Sequence, residues 1–137
     1  MVYDTEAPDF QIVEHCERYG VEVTEAADPA EQRWRTQNAR EDHGSAIDIP
    51  SRWTDGTRSR SLVHGSMDRK ATKPYAQCSA LLIYLNSYDP FFLDAGELLH
   101  VCLPLPETAQ VFRSVYLLAG RGLIDLGEAE ILIDKEE

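Results

Sequence analysis

The 137 residues and the apolar fraction of 43% are those of a single domain that buries its own core, without disulfide or metal crosslinks. Because 24 acids face only 13 Lys and Arg residues, the net charge of −11 disfavours membrane surfaces and general nucleic-acid binding and favours basic partners. Three cysteines without CxxC spacing exclude a disulfide framework, and the acidic N-terminal segment does not resemble a signal peptide. We therefore expect a cytoplasmic protein, or a component of a particle assembled in the cytoplasm.

The N-terminal segment is predicted to form an amphipathic helix followed by a short strand. Pro8 can begin a helix, apolar residues recur at steps of three and four from Phe10 to Tyr19, and Gly20 ends the pattern. Residues 21–25, VEVTE, then alternate between apolar and polar residues, which is typical of a half-buried strand.

A second helix is predicted from Pro29 to about Arg40. Asp28 precedes a proline at the first helical position, and Glu31 follows three residues after Asp28, which is the pattern of a capping box. Trp34 is the single large apolar residue in this segment, so we expect the helix to be mostly solvated.

Residues 41–74, which we call the basic arm, show little regular pattern. Six bases face two acids between residues 52 and 73, although the chain as a whole is acidic. A long segment without periodicity is uncommon inside a compact domain, so the arm either pairs with the acidic body of its own domain or becomes ordered on a neighbouring molecule. The candidate partner-binding residues are Arg52, Trp53, Arg58, Arg60, Arg69 and Lys70.

The rest of the chain alternates between apolar segments and turns. Residues 75–86 are apolar enough for a buried strand or a buried helix, and we favour the strand. A short strand is predicted over 97–103, a helix over 106–119, and two strands around a turn at Gly127. The expected fold of residues 1–137 is one α+β domain. It has a small mixed or antiparallel sheet, flanked by an N-terminal and a C-terminal helix and interrupted by the irregular basic arm.

His100 and Cys102 are the pair most suggestive of chemistry, because residues two apart in a strand share one face. A zinc site needs three or four ligands, and the other candidates do not have a recognised ligand spacing. A cysteine nucleophile would also need a base in contact and an oxyanion site. We therefore expect a buried cysteine beside a half-buried histidine, with no catalytic residue, no metal and no cofactor. The other candidate ligands are His15, Cys16, His43, His64 and Cys78.

Residues 117–134, LLAGRGLIDLGEAEILID, resemble the glycine-punctuated hairpin of cupin barrels. The resemblance implies a small enzyme or ligand-binding barrel that uses His100, Cys102 and His64. The upstream histidine pair with which a cupin holds its metal is not present, since His100 stands alone in that region.

The charge pattern favours a non-enzymatic structural or interaction subunit of a larger, homo-oligomeric assembly, in which the basic arm docks on a neighbouring copy. A virion connector or tail-completion component would have such properties. One alternative is an acidic inhibitor or immunity-type protein that presents the carboxylates of residues 1–32 or 94–137 to a basic partner. The cupin-like enzyme or binding barrel is a further alternative.

Overall fold

The computed structural model describes residues 10–14, 17–41, 56–74, 76–91, 93–120 and 122–134, which form an α+β domain around one six-stranded mixed sheet. The spatial order of the strands is their order in the chain. The second, third and fourth strands are parallel, and the remaining neighbours are antiparallel. The strands are β1 (Phe10–Glu14), β2 (Glu17–Ala27), β3 (Ser79–Asn86), β4 (Ser114–Ala119), β5 (Gly122–Asp125) and β6 (Glu130–Asp134).

Three α-helices connect and cover these strands: α1 (Pro29–Glu41), α2 (Thr57–Lys70) and α3 (Ala95–Cys102). Helix α2 packs on β2 and β3, whereas α3 packs on β5 and β6, and the two helices contact each other. Both therefore lie on the same side of the sheet. Among the described connections, short 3-10 segments lie at Ala76–Cys78, Asp89–Phe91 and Glu107–Val111.

The core lies between the sheet and these two helices. Because side chains alternate between the two faces of a strand, every second residue of β3 and β4 faces the helices. These residues are fully buried, and α2 contributes Val63 and Met67 to the same core. The strand residues concerned are Leu81, Ile83, Leu85, Val115, Leu117 and Ala119.

Helix α2 corrects the prediction of an irregular basic arm for residues 57–70, because this part of the arm is helical and packs on its own sheet. Its buried positions are Ser59, Val63, Ser66 and Met67, which have helical spacing. Two of these four residues are serines, so the apolar signal from this helix is weak. Residues 42–55 of the predicted arm lie outside the described residues.

The predicted flanking helices are wrong. The described part of the N-terminal segment forms the strand pair β1 and β2, with Phe10 opposite Val21. The segment over 106–119 forms only a short 3-10 turn before β4, whose residues alternate between buried and half-buried. Both segments also contain apolar residues two apart, which fit a strand, and pairing with neighbouring strands determines the outcome.

The strand predicted over 97–103 is also wrong, because Ala95–Cys102 is helix α3. A capping box begins this helix: Asp94 Oδ1 accepts a hydrogen bond from the Glu97 N–H at 2.8 Å, and the Glu97 side chain accepts one from the Asp94 N–H. Two orphan amides of the first turn are thereby satisfied. The helix consequently rotates His100 and Cys102 away from each other.

Four predicted elements are confirmed. The alternating 21–25 segment lies within β2, the helix predicted from Pro29 is α1, residues 79–86 form the favoured strand, and β5 and β6 flank a turn at Gly127. Asp28 caps α1 as expected, since its Oδ1 accepts from the Ala30 N–H at 2.9 Å. In the described part of the chain, no helix is long and apolar enough to span a bilayer.

Candidate functional site

The predicted partner-binding residues on α2 all contact their own domain. Arg58 bridges to Asp28, Arg60 Nη1 donates to the Leu103 carbonyl at 3.0 Å, and Lys70 Nζ bonds Glu22 at 3.0 Å. Arg69 Nη2 approaches the Thr24 hydroxyl at 3.4 Å. They are contacts within one domain, which is the first of the two alternatives that the sequence allowed for the basic arm. A role of these residues in binding a partner stays a prediction, and Arg52 and Trp53 lie outside the described residues.

His100 and Cys102 do not form a pair. Residues two apart on a helix point about 200° apart, and here Cys102 is fully buried whereas His100 is exposed. Burial raises the pKa of the Cys102 thiol to about 11, against a smaller opposing effect of Arg60, so the thiol is protonated at neutral pH. His64 Nε2 donates to the Cys102 carbonyl at 2.7 Å and so joins α2 to α3. Neither the thiol nor this histidine is arranged for nucleophilic chemistry.

Three buried carboxylates cluster where β2 and β3 end, a location at which α/β sheets often bind ligands. Each carboxylate here has a structural contact. Asp28 caps α1 and bonds Arg58, Glu31 Oε1 accepts from the Tyr88 N–H and from Arg35, and Asp89 accepts from the Gly56 N–H and the Ser59 hydroxyl. The cluster therefore fastens the first turns of α1 and α2 to the strand ends.

The pKa values of two of these carboxyl groups are shifted in opposite directions. Burial alone would raise the pKa of Asp28, but hydrogen bonds from Arg58 and Ala30 outweigh it, and the pKa is lowered. For Glu31, burial dominates over the neighbouring Arg35, so its pKa is raised. Glu31 Oε2 has no hydrogen-bond partner within the described part of the chain. The described residues contain no group of three or more His, Cys, Asp or Glu side chains that could hold a metal ion.

A large cleft extends from the first turn of α2 to the start of β4. Its volume is about 970 Å³, and its walls come from the first turn of α2, the end of α3, the 103–106 loop and the turn between β5 and β6. Three basic side chains line it, Arg60, His100 and Arg113, together with an apolar wall. The apolar wall includes Val101, Leu105, Phe112, Val115 and Leu126.

The second face of the sheet, opposite α2 and α3, carries rows of apolar side chains. One row crosses five strands through directly paired residues, none of which is fully buried. Tyr84 is 41% exposed and Ile133 is 43% exposed. The row consists of Glu25, Tyr84, Leu118, Leu123 and Ile133.

The adjacent row is built in the same way from Val23, Leu82, Tyr116 and Asp125. We call these two rows, with Tyr19 and Val21 of β2, the open face.

Charge divides the open face along β2. The Arg113 guanidinium lies 4.2 Å from the centre of the Tyr19 ring, near the beginning of β2, whereas the exposed Glu25 stands near its end. Glu25 is six positions after Tyr19, which corresponds to about 20 Å along a strand. The face thus has a basic end and an acidic end with apolar residues between them.

The open face was not predicted from the sequence, although its signal is present. In SALLIYLN and SVYLLA, both alternating sets of residues contain large apolar side chains, which indicates a strand buried or partnered on both faces. The cleft has no comparable signal, because its basic residues come from three distant parts of the chain.

The described strands form one open sheet rather than a barrel, so the fold implied by the cupin resemblance is not the one adopted. A comparison with known proteins gives no match to a family model, to a curated protein or to a solved structure. The function is therefore argued from the surfaces of this molecule alone.

Proposed function

We propose that the protein is a non-enzymatic interaction subunit that associates with a second copy of itself through the open face. The observation that carries this proposal is the row of partly exposed apolar side chains across β3 to β6, from Tyr84 to Ile133. Contiguous apolar patches on soluble domains commonly mark interaction surfaces.

The strand directions support a covered second face. Strands β2, β3 and β4 are parallel, and parallel strands are usually buried on both sides. In this molecule α2 and α3 cover one side of the sheet. A second sheet packed at about 10 Å would cover the other side, in the manner of a β-sandwich.

The area of the open face determines the affinity that we expect for the dimer. Five strands about 4.8 Å apart and about 20 Å long present on the order of 500 Å² per copy. Two such faces bury about 1,000 Å² in total, which is at the lower limit for a specific interface. We therefore expect a dimer of weak to moderate affinity, whose population depends on concentration in the micromolar range.

Charge complementarity favours one orientation. If the twofold axis lies between the sheets and perpendicular to the strands, each β2 lies over its symmetry mate in the opposite direction. Arg113, which stands over Tyr19 at the start of β2, then faces Glu25 of the second copy. The contact is self-complementary, as a twofold interface requires.

Pairing of two β6 edges is the less favourable arrangement. Antiparallel pairing centred on Leu132 would place Glu130 opposite Asp134 at both ends of the strand. Like charges directly opposite each other destabilise a strand pair. The stacked arrangement avoids this repulsion.

A role in a larger assembly, such as a virion connector, stays a prediction. A twofold contact through the open face closes at two copies, whereas a ring or filament needs a second, heterologous contact. Such a contact was expected from the basic arm over 41–74, of which residues 42–55 lie outside the described residues.

Light scattering across a concentration series tests the proposal. We expect the mass to rise from 15.5 kDa towards twice that value, and Tyr84→Arg to hold the chain at the monomer mass by placing a charge in the apolar row. Ser61→Arg, at an exposed position on α2, is the matched control and should associate like the parent. A monomer at every concentration would overturn the proposal and favour the acidic-inhibitor alternative.

A charge exchange tests the orientation of the two copies. Glu25→Arg and Arg113→Glu, made singly, each place like charges opposite one another and should weaken association by about five- to ten-fold. The double variant restores opposite charges and should recover most of the parental affinity. If the double variant is as weak as the single variants, the antiparallel stacking is incorrect even when a dimer forms.

A further inference from the structure

We propose that the cleft beside α2 and β4 binds a small amphipathic anion, with a carboxylate or phosphate head on an apolar body. This inference rests on the cleft's charge, geometry and lining, and the cleft shares Arg113 with the basic end of the open face. This ligand site would exist in addition to the association of two copies proposed above.

The described lining of the cleft carries basic side chains without acidic ones. Eighteen residues line the cleft, and among these described residues there are two arginines, one histidine and no acid. At the chain's frequency of 24 acids in 137 residues, about three acids would be expected in a lining of this size. A positively charged cleft attracts anions locally, although the chain as a whole has a net charge of −11.

The basic groups that line the cleft come from three separate parts of the fold. Arg60 comes from α2, His100 from α3, and Arg113 immediately precedes β4. The hydrogen bond from Arg60 Nη1 to the Leu103 carbonyl, 3.0 Å long, orients its guanidinium on the cleft wall. A guanidinium has five N–H donors in a planar fork that matches carboxylate and phosphate oxygens, so this one bond leaves donors for a ligand.

The cleft also has an apolar wall. Val101, Leu105 and Phe112 line the cleft on elements adjacent to the basic residues. A volume of about 970 Å³ is within the range of small-molecule sites, which combine a largely apolar lining with a few polar groups. Such a lining accommodates the body of a ligand whose charged head is held by the arginines.

The positive character of the cleft comes from side chains rather than from the helix dipole. The first turn of α2 reaches the cleft through Gly56 and Thr57, but the buried Asp89 accepts hydrogen bonds from the Gly56 N–H and the Ser59 hydroxyl. The carboxylate of Asp89 thus already compensates this helix terminus. Asp89 is not among the residues that line the cleft.

Titration with three matched probes, followed by amide chemical shifts in NMR, tests the proposal. The probes are 1-naphthylacetate, 1-naphthyl phosphate and the neutral 1-naphthaleneethanol, which share an apolar body and differ in the head group. We expect at least one anion to shift the amides of cleft residues such as Ser114 and Gly127. The neutral probe should bind at least about ten-fold more weakly than that anion. The two anionic probes also distinguish a carboxylate from a phosphate ligand.

Substitution of Arg60 gives the residue-level test. Arg60→Gln should weaken binding of the preferred anion by about ten-fold, whereas Arg69→Gln, the same change on the same helix but outside the cleft lining, should leave it unchanged. Equal affinity for the neutral probe, equal effects of the two variants, or shifts confined to open-face residues such as Leu82 would each overturn the proposal. Repeating the titration with the Tyr84→Arg variant separates this result from the association test, because anion binding in the cleft should persist in a monomer.

Discussion

The two faces of the sheet are built by the same strands, yet one face is covered by helices and the other is partly exposed. In β4, Leu117 is fully buried beneath the helices, whereas its neighbour Leu118 is half-buried on the open face. Both faces are rich in large apolar residues, so composition alone does not separate a covered face from an open one. The difference arises because α2 and α3 contact each other and occupy the same side of the sheet. The surplus apolar residues on the other side are what we interpret as a surface for a second copy.

Carboxylates at the strand ends contribute to this asymmetry. Asp28 follows β2 directly and bonds both the start of α1 and Arg58 of α2, while Asp89 bonds the first turn of α2. Such buried, hydrogen-bonded groups orient helices more specifically than apolar contacts do. The covered face is therefore held by directional bonds as well as by apolar burial.

The largest expected effect is a pair of truncations that compares the two faces within one strand. Leu117→Ala should destabilise the domain by about 3 kcal/mol, because it leaves a cavity under the helices, whereas Leu118→Ala should cost about 1 kcal/mol. Urea unfolding in the Tyr84→Arg monomer measures both changes without a contribution from association. Equal losses would show that the open face is packed as fully as the covered one.

The next effect concerns the attachment of the helices. Asp28→Asn should cost about 1–2 kcal/mol at neutral pH through loss of the charged bond to Arg58, since the amide oxygen of Asn can still cap α1. Since folding lowers the pKa of Asp28, its stabilisation is present above the unfolded pKa and is lost as pH falls through the lower folded value. Unfolding measured from pH 7 to pH 2 should therefore show the parent and the variant converging in acid.

Glu31 supplies the control for that pH dependence. Its pKa is raised in the fold, so the ionised side chain opposes folding, and this cost is relieved as pH falls through the raised folded pKa. Glu31→Gln should thus change the acid branch of the stability curve in the direction opposite to Asp28→Asn. If both variants shift the curve in the same direction, general repulsion among the acids outweighs these two local effects.

The smallest expected effect is that of Cys102→Ala, about 1 kcal/mol from loss of a buried group at the end of α3. Association and the amide spectrum of the open face should be unchanged. Because the Cys102 thiol is buried with a pKa of about 11, alkylation at neutral pH followed by peptide mass analysis should label it only after unfolding. Rapid labelling in the native state would contradict the packing of α3 described above.

Parts of the fold could be predicted where local chemistry and pairing agree. The helix beginning at Pro29 was predicted because Asp28 is a strong cap, and the β5–β6 hairpin because Gly127 interrupts two short apolar runs. The same capping logic applied to Asp94 and Glu97 would have identified α3. Apolar composition pointed to a strand there, and the cap is the more specific signal.

Other parts could not be predicted from local patterns. Helix α2 buries Ser59 and Ser66 as well as Val63 and Met67, so its inward side is too polar to stand out. The cleft depends on the approach of Arg60, His100 and Arg113, which are 40, 53 and 13 positions apart in the three pairings, and only the fold brings them to one wall. Long-range packing determines both features, and no short window of sequence contains it.

The strand order has a further consequence for synthesis of the chain. Because each described strand after β1 pairs with the described strand made before it, the sheet can extend in one direction as the polypeptide leaves the ribosome. No strand must wait for a distant later segment to be inserted between itself and its neighbour. Of the described strands, β6 emerges last and completes the apolar row at Ile133, so an association-competent surface would exist only once β6 has been made.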